Sequence, residues 1–388
     1  MSTPAPVRTL VVPRAGELAI AESPEPPLAE GRFRAETLFT GLSAGTELTW
    51  YRGTSPYFSA GWDADLGLFS RDRPAQRFPV ERLGYMEVAR VTDTRTSAVA
   101  EGALVAMAYG HSTVVHGDPL TQHVVPLPAA LDPVLGIYVA HLGPICANGL
   151  LHAAADAGGT DLGDGVRGRL VLVTGGGTIG LLVGLMARVH GAAEVVVADP
   201  TPSRRAAAEA LGLQAVDTTP ELARELKTRW RHGPADRGAD VAFQCRGAAS
   251  ALATALRCLR PQGTVVDLAF YTGGAREVAL GEEFHHNGLA IRCAQIGRVP
   301  RGLATQWDRR RLSHETLALL SGAGDEVRTH LLTDVIPFDE APALFAELSA
   351  RTRHVISAAF QVRGAPQRPG GSGAQEASSR PSVRSGER

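Results

Sequence analysis

The stretch Leu170-Val-Leu-Val-Thr-Gly-Gly-Gly-Thr-Ile-Gly180 changes character at its centre, from an apolar run to a cluster of glycines that opens a second apolar run, Leu181 to Val189. It contains the pattern G-x-G-x-x-G as Gly175, Gly177 and Gly180, with Thr178 and Ile179 in the spacer. Between a strand and a helix, each glycine has a separate task. The first permits a tight turn, the second lets a diphosphate come close to the backbone, and the third lets helix and strand pack tightly. The helix N-terminus then faces the negative charge. The next apolar run, Glu194–Ala198, ends on Asp199, whose carboxylate can accept hydrogen bonds from an adenosine ribose. Against a 2′-phosphate the same carboxylate would be a like charge, costing ~1 kcal/mol in water and ~4 kcal/mol at a partly buried site. The expected cofactor is therefore NAD. NADP stays open because Arg204 and Arg205 follow closely and an arginine there can hold a 2′-phosphate.

Outward from this turn, strands and helices alternate. Helices are expected at 179–190, 203–211, 221–230 and 250–259, with strands at 194–198, 216, 241–244 and 264–269. That alternation predicts a doubly wound parallel sheet, a Rossmann domain over residues 151–300. Later strand ends should reach the same crevice, which makes Cys245, Gly247, Phe270 and Tyr271 cofactor-binding candidates by position. For Cys245 a small buried apolar role competes. Residues 1–150 are β-rich, with short apolar runs at 9–12, 88–91, 104–108 and 123–125. Residues 51–82 are aromatic and turn-rich and predict a long loop. Beyond 301 two helices are expected, at 308–320 and 338–348. The segment 364–388 has almost nothing apolar and is expected to be disordered.

Composition narrows the function classes. A net charge of −1 and 20% charged residues give no reason to expect nucleic acid or an anionic membrane as partner. The glycines interrupting Leu170–Val189 argue against a membrane span. The four cysteines, Cys146, Cys245, Cys258 and Cys293, form no CxxC pair and follow no secretory signal, so a reducing cytoplasm is expected. The single lysine, Lys227, lies in a polar helical segment, which disfavours Schiff-base chemistry.

Several further motifs resemble the medium-chain dehydrogenase/reductase superfamily, to which zinc alcohol dehydrogenases belong. Gly41-Leu-Ser-Ala-Gly-Thr-Glu47 resembles its G-[IL]-C-G-[TS]-D, Gly84-Tyr-Met-Glu-Val-Ala-Arg-Val91 its G-H-E-x-x-G-x-V, and Pro337-Phe-Asp-Glu-Ala341 its late element. A narrower resemblance, on few residues, is to the bacteriochlorophyllide-type dehydrogenase branch. The resemblance implies an α/β protein: a GroES-like β domain, a Rossmann domain, and a return of residues 301–363 to the first domain. It further implies hydride transfer to or from NAD(P), a small-molecule substrate, and room for a homodimer.

The departures bear on chemistry. Ser43 replaces the usual zinc-binding cysteine, Tyr85 the zinc histidine and Met86 its neighbouring glutamate, and the four-cysteine structural lobe is missing. No metal is expected; Glu87, His111 and Cys146 are the residues that would have to regroup into a site of three ligands. Zinc lowers the pKa of bound water from about 15.7 to about 7, roughly 12 kcal/mol. A positioned general base supplies only ~3–5 kcal/mol. A zinc-free relative should therefore work on an activated secondary alcohol and its ketone. The candidates for moving the proton are Ser43, Thr46, Tyr85 and His111. Alternatives on the same scaffold are a C=C or C=N reductase and a cofactor-binding, non-catalytic homologue. A methyltransferase also carries a glycine-rich turn, but Gly180 and the preceding β region count against it.

Overall fold

The computed structural model describes residues 5–362; the segment expected to be disordered, 364–388, lies outside the described residues. The nucleotide domain is a six-stranded parallel sheet. Its spatial order is Gln214–Val216, Glu194–Ala198, Leu170–Thr174, Ala239–Gln244, Leu259–Asp267, Ala290–Cys293. The chain winds outward in one direction from Leu170–Thr174 and then in the other from Ala239–Gln244. The topological switch therefore lies between these two strands, directly above the glycine turn. Val171, Leu172, Val173, Val196, Val197, Ala242 and Phe243 are fully buried or nearly so, which is why these strands read as unbroken apolar runs.

The sixth strand, Ala290–Cys293, was not legible in the sequence. It is a mostly exposed edge strand with no apolar pattern. The pair His285-His286, read as strand residues on opposite faces, instead lies on a helical turn with the rings 5.5 Å apart.

The first domain is built on a seven-stranded sheet in which Phe33–Leu42 is central, flanked by Glu87–Thr94 and by the C-terminal strand Ser357–Gln361. Ala359 pairs with Gly41 and Phe360 with Thr40. Leu332–Pro337 adds a further strand beside Ser357–Gln361. The last described strand thus comes back to the strand that leads into Ser43. Residues 51–82 are less irregular than expected. A 3-10 turn, Pro56–Phe58, is followed by a short hairpin of Gly61–Asp63 and Leu68–Ser70.

The two domains share one apolar core. It runs from Met86 and Val88 through the helix Leu142–Ala153 to Val171, Val173 and Leu181–Ala187 of the helix Thr178–Val189. Leu142, Cys146, Ala147, Leu150 and Leu151 are all buried, so this helix is apolar nearly all round, as a helix between two layers must be. Thr178 adds a polar tie, donating its hydroxyl to the Ile356 carbonyl at 2.6 Å.

Candidate active site

The strand Leu170–Thr174 ends in Gly175, whose φ of +104° L side chains rarely adopt. A Cβ on Gly180 would lie 1.8 Å from the Gly175 carbonyl oxygen, so close helix–strand packing here requires glycine. Gly177, the N-cap of the helix Thr178–Val189, makes no side-chain cap, and a Cβ on it would meet nothing within 4 Å. The helix's first N–H groups are therefore free for an anion. This predicts a clean separation. Gly180→Ala should lose ~1–3 kcal/mol of stability through unrelieved overpacking, and NADH affinity with it. Gly177→Ala should keep the melting temperature and lose only NADH affinity, because its methyl occupies the path of the diphosphate. Thermal denaturation and fluorescence titration on both variants check this, and equal behaviour of the two would count against a phosphate turn.

Asp199 is 1% exposed and is turned toward the turn itself. Its Oδ2 accepts from the Gly176 amide and its Oδ1 from the Thr201 amide, both at 2.8 Å, with Arg204 at 3.5 Å. Burial raises its pKa, but the Thr201 and Gly176 amides and the Arg204 charge more than offset this, and the carboxyl is held below its ordinary value. The residue read as a ribose acceptor is thus first a brace for the glycine turn. A pocket of ≈130 Å³ opens beside it between Ala198, Thr218 and Arg246. A second, of ≈320 Å³, lies between Arg204, His330, His354 and Ile356.

Where the domains meet, a cavity of ≈410 Å³ is lined by Thr46, Trp50, Tyr57, Tyr85 and His141 on one side. Asp267, Phe270, Cys293 and Gln295 line the other. Three of the positions expected to face the cofactor gather here. Ser43 is the N-cap of the helix Ala44–Tyr51, Thr46 lies in its first turn, and the Tyr85 hydroxyl donates to Ser43 Oγ. Burial raises the Tyr85 pKa, hydrogen bonds with Ser43 and Thr46 act in the opposite direction, and the net shift is upward. The phenol therefore keeps its proton near neutral pH.

His111 does not reach the cavity. It is 1% exposed, donates through Nε2 to Glu47 Oε2 at 2.7 Å, and sets Nδ1 2.7 Å from the Thr40 hydroxyl. Glu47 Oε1 in turn accepts from the Ser43 amide at 2.7 Å. The histidine read as an acid–base candidate on a loop is a buried anchor that holds Ser43 through Glu47. Gly84, with φ +90°, is where the His111 ring passes: a Cβ there would come within 2.7 Å of it.

The remaining candidates separate by position. Phe270 lines the cavity and is partly exposed. Tyr271 stands behind it, donating to Asp267 Oδ2 at 2.9 Å and accepting from Gln244 Nε2 at 2.9 Å. Gly247 lies where a Cβ would be 2.5 Å from the Phe270 carbonyl, so it allows two strand-end loops to touch. Cys245 packs against the main core, where burial pushes its thiol pKa far up; it is apolar filling. Of the aromatic residues between 51 and 69, Tyr57 lines the cavity, stacked on Trp50 at 5.6 Å and 10°. Tyr51 is buried against Phe345, and Trp62 is 48% exposed.

The sequence reading missed Trp50, Asp267, Gln295 and His141. His141 lies outside every motif that carries the family resemblance, so nothing in the sequence pointed to it. Among the described residues no group of three His, Cys, Asp or Glu side chains could hold a metal ion, and Glu87, His111 and Cys146 do not assemble into one.

The chain is similar to known proteins over most of its length. Residues 178–304 match the family model of zinc-binding dehydrogenases. D-guloside 3-dehydrogenase of Escherichia coli K12 is 25% identical over 342 residues, covering 85% of this chain and 92% of that protein. A zinc-binding dehydrogenase structure from Sinorhizobium meliloti bound to NADP superposes with a TM-score of 0.68. It is 19% identical and covers 92% of this chain and 100% of its own. An alcohol dehydrogenase structure from E. coli CFT073 in complex with NADH gives 0.68 at 15% identity, covering 92% and 100%. The fold is that of zinc-type, alcohol-dehydrogenase-like proteins: a β domain joined to a Rossmann domain. Residues 178–304 thus match a dehydrogenase family model, and the chain is similar to dehydrogenases in sequence over 85% of its length and in fold over 92%.

Proposed function

We propose that this chain interconverts an activated secondary alcohol and its ketone with a nicotinamide dinucleotide, without catalytic zinc. The observation that carries the reading is the Tyr85 phenol on the wall of the interdomain cavity, hydrogen-bonded to Ser43, with both residues at the positions where zinc-type relatives carry metal ligands. A hydroxyl pair cannot replace two zinc donors, and Met86 beside it is buried in the core. The Gly175–Gly180 turn suits the diphosphate, and the ionised Asp199 carboxylate favours NAD over NADP. When bound, the dinucleotide supplies hydride to the substrate carbon or takes it away. Tyr85, protonated near neutral pH, gives its proton to the oxygen in reduction, while Ser43 orients the phenol.

A polyhydroxylated ring is the favoured substrate class. Neighbouring C–O dipoles acidify its hydroxyls, the stacked Trp50–Tyr57 pair offers a flat apolar face, and ≈410 Å³ is of ligand size. The E. coli relative's name, a guloside 3-dehydrogenase, points the same way. The test is titration with NADH and NADPH, followed by absorbance at the nicotinamide band with methyl glycosides, cyclic polyols, simple ketones and enones. Tighter NADH binding and turnover of a ring hydroxyl or ketone are expected. No affinity for either dinucleotide ends the reading. Turnover of enones alone makes the chain a C=C reductase. Activity abolished by chelation and restored by zinc overturns the metal-free chemistry.

A further inference from the structure

His141 lines the cavity with its ring centroid 4.5 Å from that of Tyr85, and no group described so far uses it. Its Nδ1 lies 2.5 Å from a guanidinium nitrogen of Arg309, which also donates to the neighbouring Ala140 carbonyl at 3.0 Å. Arg309 is itself placed firmly. It is the first residue of the helix Arg309–Glu326, whose N-cap Asp308 accepts from the Arg311 amide at 2.8 Å.

The donor inventory settles the tautomer. Guanidinium has no acceptor, so Arg309 donates, Nδ1 accepts, and the imidazole proton sits on Nε2. Nε2 has no hydrogen-bond partner among the described residues, and the ring that carries it lines the cavity. Burial, then the charges of Arg309 and His123, lowers the His141 pKa to about 4, so the ring stays neutral.

We propose that His141 donates its Nε2–H to the substrate oxygen, and that Arg309 is the positioning residue that locks the required tautomer. The inference rests on the alcohol–ketone reading above. In reduction, hydride enters the carbonyl carbon and the C=O π pair moves onto oxygen. His141 stabilises that oxygen by a hydrogen bond and stays neutral throughout. The Tyr85 phenolic proton then bonds to the oxygen, and solvent reprotonates the phenolate. The donor thus takes over part of the polarising task that zinc performs in relatives. A single preorganised donor of this kind is worth ~10²–10³ in rate.

The test uses full-length protein labelled with 15N-histidine, with isobutyramide as an unreactive carbonyl probe of the NADH complex. The His141 resonance, assigned by its loss in His141→Gln, should show an unprotonated Nδ1 and a protonated Nε2. The Nε2 proton should move downfield when isobutyramide is added. Isobutyramide affinity, read from NADH fluorescence, should fall at least ~10-fold in His141→Leu and recover in part in His141→Gln, which keeps an N–H. Arg309→Met should keep NADH affinity while mixing the two tautomers. If NADH binds but the proton sits on Nδ1, or isobutyramide binds His141→Leu as tightly as the native protein, the donor role is wrong and the dehydrogenase reading stands. If NADH does not bind, both fall.

Discussion

Tyr85→Phe is expected to lower turnover of the alcohol–ketone pair by about 10²–10⁴, the range of one positioned proton donor, while leaving NADH affinity within twofold. The substitution removes a single oxygen. The ring keeps its packing against His141 and the main core. What disappears is the proton that the cavity wall holds near the substrate oxygen and the hydrogen bond to Ser43. Because burial raises the phenol's pKa, Tyr85 holds its proton at neutral pH and enters the reaction as the acid, not as the base. The loss should therefore be seen plainly in ketone reduction. Ser43→Ala should cost less, since it leaves the phenol in place and removes only its acceptor. Steady-state kinetics in the reducing direction, with NADH binding measured on the same samples, decide the matter. A Tyr85→Phe enzyme with native kcat would assign the proton to another group and remove the central element of the proposed chemistry.

The second large effect concerns stability. Glu87 is 1% exposed in the first sheet; one carboxyl oxygen takes the Thr37 hydroxyl and the other has no partner among the described residues. Burial raises its pKa from 4.5 to about 8, with the Thr37 hydroxyl pulling weakly the other way. Below about pH 4.5 folded and unfolded chains both hold the proton, and the site costs nothing through ionisation. Between 4.5 and about 8 the unfolded chain releases it and the folded chain keeps it, so stability falls as pH rises. The full loss, reached above pH 8, is ~5 kcal/mol at ~1.4 kcal/mol per pH unit. Glu87→Gln, close in shape to the protonated acid, should match the native protein near pH 4.5 and be more stable near pH 8. Urea midpoints across this range check it, with all other titrating groups cancelling in the difference. Parallel profiles for the two proteins would mean that the carboxyl is solvated or paired.

Much of the nucleotide domain was legible because its signals are local. A strand buried on both faces must be apolar throughout, and a glycine forced by a 1.8 Å approach leaves a mark that nothing else can replace. The strand Ala290–Cys293 left no mark because an edge strand is buried on too little of its surface to need a pattern. The catalytic half was harder for a different reason. Ser43, Thr46 and Tyr85 could be carried over from a family motif, but a motif says nothing about burial. His111 stands on a loop segment after a strand, as a catalytic histidine could, and only the packing of Thr40 and Glu47 around it reveals an anchor.

From the order of its residues alone, then, this protein carries a dinucleotide turn, a parallel sheet and a first domain stripped of the usual zinc donors. These follow from short-range sterics and from residue identity. The tertiary structure decided which titratable groups share a cavity and which proton each holds. Asp199 turns inward to two amides, His111 leaves the site, and His141 enters it with its tautomer chosen by an arginine from a helix far along the chain. Those outcomes depend on contacts between segments distant in sequence, where desolvation and hydrogen-bond partners, rather than local pattern, determine what a side chain can do.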